Sequence, residues 1–107
     1  MSKLTAVGIG PGNYENMTIR ADRALRDADV IVGYTVYVEL VRDRYPEKEF
    51  LTTAMTRETQ RCAMALEEAR KGKNVAMICS GDSGIYGMAA LLYELRGEST
   101  DPEIEVI

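Results

Sequence analysis

The chain has 107 residues, 46% hydrophobic and 28% charged, with a net charge of −4 and no histidine. That length suits one domain with one modest core, and the acidic balance gives no electrostatic footprint for nucleic acid or an anionic membrane. Without histidine the commonest general base and metal ligand are both missing, and no apolar run approaches the roughly 20 residues of a membrane span.

The opening "MSKLTAVGIGPG" lacks the layout of a signal peptide, because its short apolar stretch runs straight into a Gly-Pro-Gly turn. A cytoplasmic location is the expectation. Residues 4–9 read as a first strand, closed by Gly10-Pro11-Gly12-Asn13. Thr18 offers an N-cap for a helix to about Asp27, with Ile19, Ala24, Leu25 and Ala28 as its apolar positions. "DVIVG" (29–33) reads as a buried parallel strand. Thr35 is placed to cap a second helix carrying Val38, Leu40 and Val41, ending before Pro46. "EFLTT" (49–53) is a weaker strand.

Thr56 opens the clearest helix, which runs to Lys71 with Cys62, Ala65, Leu66 and Ala69 at helical spacing. Glu67 and Lys71 stand at i,i+4 in the favourable order, and Gly72 fits the stop. "NVAMICS" (74–80) is a strand, followed by "GDSGIYG", a helix over about 85–96 stopped by Gly97, and a fifth strand at 104–107. This alternation, with such short connections, predicts right-handed crossovers and a mainly parallel sheet covered by helices on both faces. Cys62 and Cys79 lack metal-ligand spacing and read as two buried thiols. Met64, Met77 and Met88 fall on apolar faces and read as core.

Both glycine-rich segments, 8–13 and 81–87, follow strands and precede helices. They therefore share the carboxyl edge of the sheet, where ligands of such folds bind. Gly81-Asp82-Ser83-Gly84 resembles the loop around a serine-protease nucleophile. A Ser-His-Asp triad needs an imidazole, and the spacing is not G-x-S-x-G, so Ser83 reads as a turn residue. "GIGPGN" is not the G-x-G-x-x-G dinucleotide fingerprint, and the second strand ends without the acidic residue for a ribose. "GDSGIYG" lacks the G-K-[ST] ending of a P-loop. Two readings stay open on spacing alone. The glycines and Asp82 hold a ligand, or the glycines merely permit tight turns while Asp82 caps a helix. Tyr34, Tyr37 and Tyr86, at or just after strand ends, suit either a flat ligand or ordinary shoulder packing.

"GIGPG", "ADVIVGY" and "SGDSGIYGMA", with the strand spacings between them, resemble the tetrapyrrole methylases, which use S-adenosylmethionine. "VGYTVYVELV" followed by "SGDSGIYGMAALLYEL" is most similar to the branch that methylates C-17 of precorrin-3B, or its cobalt-precorrin-3 counterpart, in cobalamin (corrin) biosynthesis. The resemblance implies an α/β fold with a five-stranded parallel sheet in the order 3-2-4-1-5. It also implies methyl transfer with contraction of the macrocycle. By the same resemblance, Pro11, Gly81, Asp82, Ile85 and Tyr86 contact S-adenosyl-L-methionine, and Gly12, Asn13, Tyr34 and Met55 contact the tetrapyrrole (precorrin). No residue is assigned as catalytic acid or base, and no metal site is expected. Many relatives carry proline where this chain has Ser83, so the loop is expected to be looser here.

The fifth strand finishes at Ile107, where this architecture places a further loop. Residues 1–107 are therefore expected to be the N-terminal domain of a two-domain methylase, with the cofactor in the cleft between domains. By themselves they are expected to be inactive and to self-associate through the carboxyl edge or through the sheet margin. The resemblance also implies a homodimer of the whole enzyme. The alternatives are another branch of the family and a non-enzymatic nucleotide- or ligand-binding module.

Overall fold

The computed structural model describes residues 2–9, 17–54, 57–79 and 83–107, the side chains of 83 and 84 excepted. Strands β1 (Lys3–Gly8), β2 (Val30–Tyr34), β3 (Glu49–Thr53), β4 (Val75–Cys79) and β5 (Glu103–Val106) alternate with helices α1 (Ile19–Asp27), α2 (Thr35–Val41), α3 (Glu58–Arg70) and α4 (Ser83–Arg96). A 3-10 turn, Arg42–Arg44, follows α2. The sheet order is β3-β2-β4-β1-β5 and every pairing is parallel. The expected class, strand count and order are all met.

Side chains alternate across this sheet with a period of two, so each strand feeds two cores. On one side Leu4, Ala6, Val30, Val32, Val75, Met77 and Cys79 meet Cys62, Ala65, Leu66 and Ala69 of α3 and Leu92 of α4. On the other, Val7, Ile9, Ile31, Ala76 and Ile78 meet Ala21 and Leu25 of α1, Val38 and Val41 of α2, and Tyr45. Each fully buried aliphatic side chain contributes roughly 1.5–3 kcal/mol. β4 is buried along its whole length and β2 in all but its last residue, Tyr34, as the apolar runs in sequence required.

Thr18 caps α1 as expected, its hydroxyl accepting from the Ala21 amide at 3.1 Å. Ile19, however, is 73% exposed. Ala21, Leu25 and Ala28 form the buried stripe, and Ile19 falls on the far side of the helix. Leu40 is exposed for the same reason, because Val38 and Val41 define the face of α2. Thr35 does not cap α2. The cap position is Tyr34, and the Thr35 hydroxyl donates to the Thr53 carbonyl at 3.3 Å.

β2 and α2 have no residue between them, so α2 presses on the end of the strand. A Cβ on Gly33 would lie 3.2 Å from Val38 Cγ2 and 3.3 Å from Ile78 Cβ, which explains glycine there. α3 starts at Glu58, and Thr56 lies outside the described residues. Lys71 pairs with Glu68 at 2.8 Å rather than with Glu67, because Glu68 lies on the buried side within reach. Gly72 and Gly97 end their helices at φ +95 and +71, as expected of C-terminal glycines. Met77 is buried and Met88 packs against the core, while Met64 is only half-buried.

Candidate functional site at the carboxyl edge

The chain order of the elements determines what stands at each end of the sheet. Because all strands are parallel, the connections after β1, β2, β3 and β4 leave from one edge. β1 and β4 are neighbours, paired from Leu4–Val75 through Gly8–Cys79. Pairing continues one step further, with the Ile9 amide donating to the Cys79 carbonyl at 3.2 Å. The two glycine-rich connections therefore leave the sheet side by side. On the other flank, the Gly8 amide donates to the Ile107 carbonyl at 3.3 Å, which keeps β5 alongside to its end.

Three of the sequence-predicted positions are described. Tyr34 ends β2, half-buried, with its ring edge-on to Tyr37 at 5.4 Å and 90°. Tyr37 lies within α2 and packs against the core. Ile85 sits in the first turn of α4 with its side chain turned into the α3/α4 core. Tyr86, the next residue, is 72% exposed. Pro11, Gly12, Asn13, Met55, Gly81 and Asp82 lie outside the described residues. α4 begins at Ser83, two residues earlier than the sequence pattern suggested.

The described residues next to these connections, Ile9, Cys79 and Ile85, are uncharged and buried, Ile9 in the core against α1 and α2 and the other two in the core against α3 and α4. Burial pushes the Cys79 thiol up to about 12 and the Cys62 thiol to about 11. Both are free cysteines and both stay protonated at neutral pH. Neither offers a thiolate to an electrophile bound above them.

Sequence reasoning missed the end of β3. Arg61, on the buried stripe of α3, is only 6% exposed. Its Nε donates to Thr53 Oγ1 at 2.8 Å and its guanidinium to the Ala54 carbonyl at 3.1 Å. The available signal was a charged residue four and eight positions ahead of Ala65 and Ala69, in phase with the apolar face. Glu68 occupies the other end of that stripe and bonds Lys71 and Lys73 at 2.8 and 2.9 Å. These lysines hold its carboxyl below the usual range.

A groove of about 340 Å³ runs elsewhere, along α1 and the β5 margin. Its charges are of both signs, with Lys3 paired to Glu105 at 3.1 Å. Among the described residues, no helix is long and apolar enough to cross a membrane.

Residues 3–107 match the family model for tetrapyrrole (corrin/porphyrin) methylases. The chain belongs to this family. A cobalt-factor III methyltransferase from Priestia megaterium is 44% identical over 110 residues, covering 98% of this chain and 20% of that protein. A protein named probable cobalt-factor III C(17)-methyltransferase, from Salmonella typhimurium, is 46% identical, over 97% of this chain and 44% of its own length. Among solved structures, the methyltransferase CobJ superposes with a TM-score of 0.85 at 32% identity, over 99% of this chain and 46% of that one. The chain thus spans less than half the length of these methylases.

Proposed function

We propose that this chain forms the cofactor-binding part of an S-adenosylmethionine-dependent methyltransferase acting at C-17 of a precorrin-3B or cobalt-precorrin-3 ring, with ring contraction, in cobalamin biosynthesis. The observation that carries the reading is the side-by-side departure of the two glycine-rich connections from the neighbouring strands β1 and β4, next to uncharged, buried residues. The kinship with cobalt-factor III methyltransferases supports the choice of branch.

The residues present fit a nucleoside carrying a sulfonium. The glycines at positions 81, 84 and 87 let a ligand approach the backbone closely. The first amides of α4 lack partners within their helix, as at any helix start. Ile85 commits its side chain to the core, which leaves its main chain for the ligand. The neutral Cys79 thiol beneath does not compete for the methyl group. Asp82 accepts from the ribose or attracts the cationic group, Pro11 and Gly81 line the same loops, and the exposed Tyr86 ring covers the ligand. Gly12, Asn13, Tyr34 and Met55 lie toward the tetrapyrrole.

The bound cofactor supplies an electrophilic methyl carbon, attacked in line by an electron-rich ring carbon. The protein holds the two reactants in register, worth roughly 7–11 kcal/mol of the barrier. Such a role needs no histidine. The same reading carries a homodimer, which sedimentation of the whole protein checks.

Titrating the full-length protein with S-adenosylhomocysteine and, separately, with ATP tests the assignment. Saturable binding of the first alone, with methyl transfer to cobalt-precorrin-3 or precorrin-3B, is expected. Preference for ATP, without methyl transfer, would favour a nucleotide-binding module.

A further inference from the structure

We propose that Arg61 is a positioning residue that ties the end of β3 to the start of α3 on the acceptor side of the cleft. The proposal rests on the functional reading above for what the cleft holds, and on geometry alone for the clamp.

Arg61 stands on the stripe of α3 that packs on the sheet, beside Cys62 and Ala65. Packing alone would be better served there by an alkyl side chain, since a buried guanidinium is costly unless its donors are bonded. Its donors go to the end of β3. Nε donates to Oγ1 of Thr53, a residue only 7% exposed, and the guanidinium also donates to the Ala54 carbonyl. That carbonyl also accepts from the Arg57 amide at 3.2 Å, so one oxygen joins both ends of the connection and the Arg61 side chain. The Arg61 amide in turn donates to the Arg57 carbonyl at 2.8 Å. From the first residue of α2, directly after the neighbouring strand, the Thr35 hydroxyl donates to the Thr53 carbonyl. The ends of β2 and β3, and the start of α3, are thereby locked to one another.

The lock stands on one half of the carboxyl edge. In the order β3-β2-β4-β1-β5, the glycine-rich connections occupy β4 and β1, and the clamped ones occupy β2 and β3. A cofactor lying over β4 and β1 has the clamped half beside it. Backbone approach suits the glycine half, whereas a large acceptor needs a wall of fixed shape. Loss of such a wall by even 1 Å is enough to disturb alignment of the reactants.

Hydrogen exchange at the Arg57 amide, measured on the full-length protein, reads the clamp directly. In Arg61→Gln this amide is expected to exchange about tenfold faster or more, since hydrogen bonds to a charged group are the stronger ones. Arg61→Lys restores part of the protection. Thr53→Val, which keeps the volume and removes the acceptor, should act in the same direction and serves if Arg61→Gln fails to fold. In the assay, the KM for the tetrapyrrole is expected to rise about tenfold in Arg61→Gln, while the Kd for S-adenosylhomocysteine moves much less. Unchanged Arg57 exchange in the folded variants would overturn the clamp. Equal losses for cofactor and tetrapyrrole would overturn the acceptor-side assignment. A wild-type protein that binds no S-adenosylhomocysteine would sink the functional reading and the acceptor assignment with it, while the exchange data still decide the clamp.

Discussion

At the amino edge of the sheet, charged side chains tie the strands together; at the carboxyl edge, among the described residues, the ties are amides, hydroxyls and one guanidinium. The Asp29 carboxylate accepts from the Asn74 amide at 2.9 Å, joining the starts of β2 and β4. Lys73 bridges Glu49 of β3 and Glu68 of α3 at 3.3 and 2.9 Å. The opposite edge is bonded through Ile9, Gly8, Thr35 and Thr53 instead, and the buried Cys79 and Ile85 beside it are uncharged. The described positions assigned to a ligand, Tyr34, Ile85 and Tyr86, stand on that second edge. Under the functional reading proposed above, loss of a ligand contact there should lower affinity, whereas loss of packing or of a tie between elements, on either edge, should lower stability.

The largest effect is expected at Asp82. In the full-length protein, Asp82→Ala should weaken S-adenosylhomocysteine binding by about tenfold or more, as loss of a charged hydrogen bond does. Its stability should fall by no more than the ~1 kcal/mol of a lost helix cap. Calorimetric titration and thermal melting of one sample give both numbers. Unchanged affinity with a clear stability loss would make Asp82 a cap and blur the contrast between edges.

Gly33→Ala probes the carboxyl edge from within. The new Cβ would press on Val38 and on the Ile78 Cβ, and neither can swing away. Val38 is fully buried and β-branched, and the Ile78 Cβ is fixed by its own strand. Overpacking of this kind costs roughly 1–3 kcal/mol, read as a lower denaturant midpoint. A variant as stable as the wild type would mean that α2 can retreat from β2.

Glu68→Gln should do less and leave ligand binding alone. Both lysine partners of Glu68 are substantially exposed, so water screens the ion pairs, and a Tm decrease on the order of a few degrees is expected. Its pH dependence is distinctive. Lys71 and Lys73 hold the Glu68 carboxyl below its ordinary value, and a hydrogen bond from Tyr45 does the same for Asp22. A carboxyl with a depressed folded pKa contributes stability above its unfolded value, near pH 4, and loses it as pH falls through the folded value. Melting curves should be insensitive to these two groups between pH 7 and about 5 and should fall in more acid solution. Glu68→Gln should have a shallower acid limb than the wild type.

The two edges were not equally legible in sequence. Strands β2 and β4 announced themselves, because burial on both faces demands continuous apolar runs such as "VIV" and "VAMIC". The positions of the glycine-rich connections on one edge of the sheet followed from the sequence once the strands were read as parallel. What stayed hidden was long-range and polar. Nothing near Arg61 in sequence points to Thr53 and Ala54, which only the docking of α3 on the sheet brings within reach. Ile19 misled because hydrophobicity was read without its angular position relative to Ala21 and Leu25. Lys71 chose Glu68 over Glu67 because tertiary burial placed one carboxylate and not the other beside the turn.

The smallest effect is expected at Ser83, and it is informative for that reason. Position 83 belongs to the carboxyl edge, as the first residue of α4, directly after the connection from β4. If every residue of that edge touched the chemistry, its loss would be severe. Ser83 lacks what a nucleophile requires: the chain holds no histidine to take its proton. Methyl transfer by alignment, moreover, asks for no enzyme nucleophile at all. Its place in a helix start also tolerates other small residues. Ser83→Ala in the full-length protein should therefore keep most of its methyl-transfer rate, and its S-adenosylhomocysteine affinity should change by less than that of Asp82→Ala. Ser83→Pro should be accommodated as well, because proline suits the first turn of a helix. A rate loss comparable to removing a catalytic nucleophile would mean that the hydroxyl acts on the substrate, and that the edge divides residue by residue between holding the ligand and reacting with it.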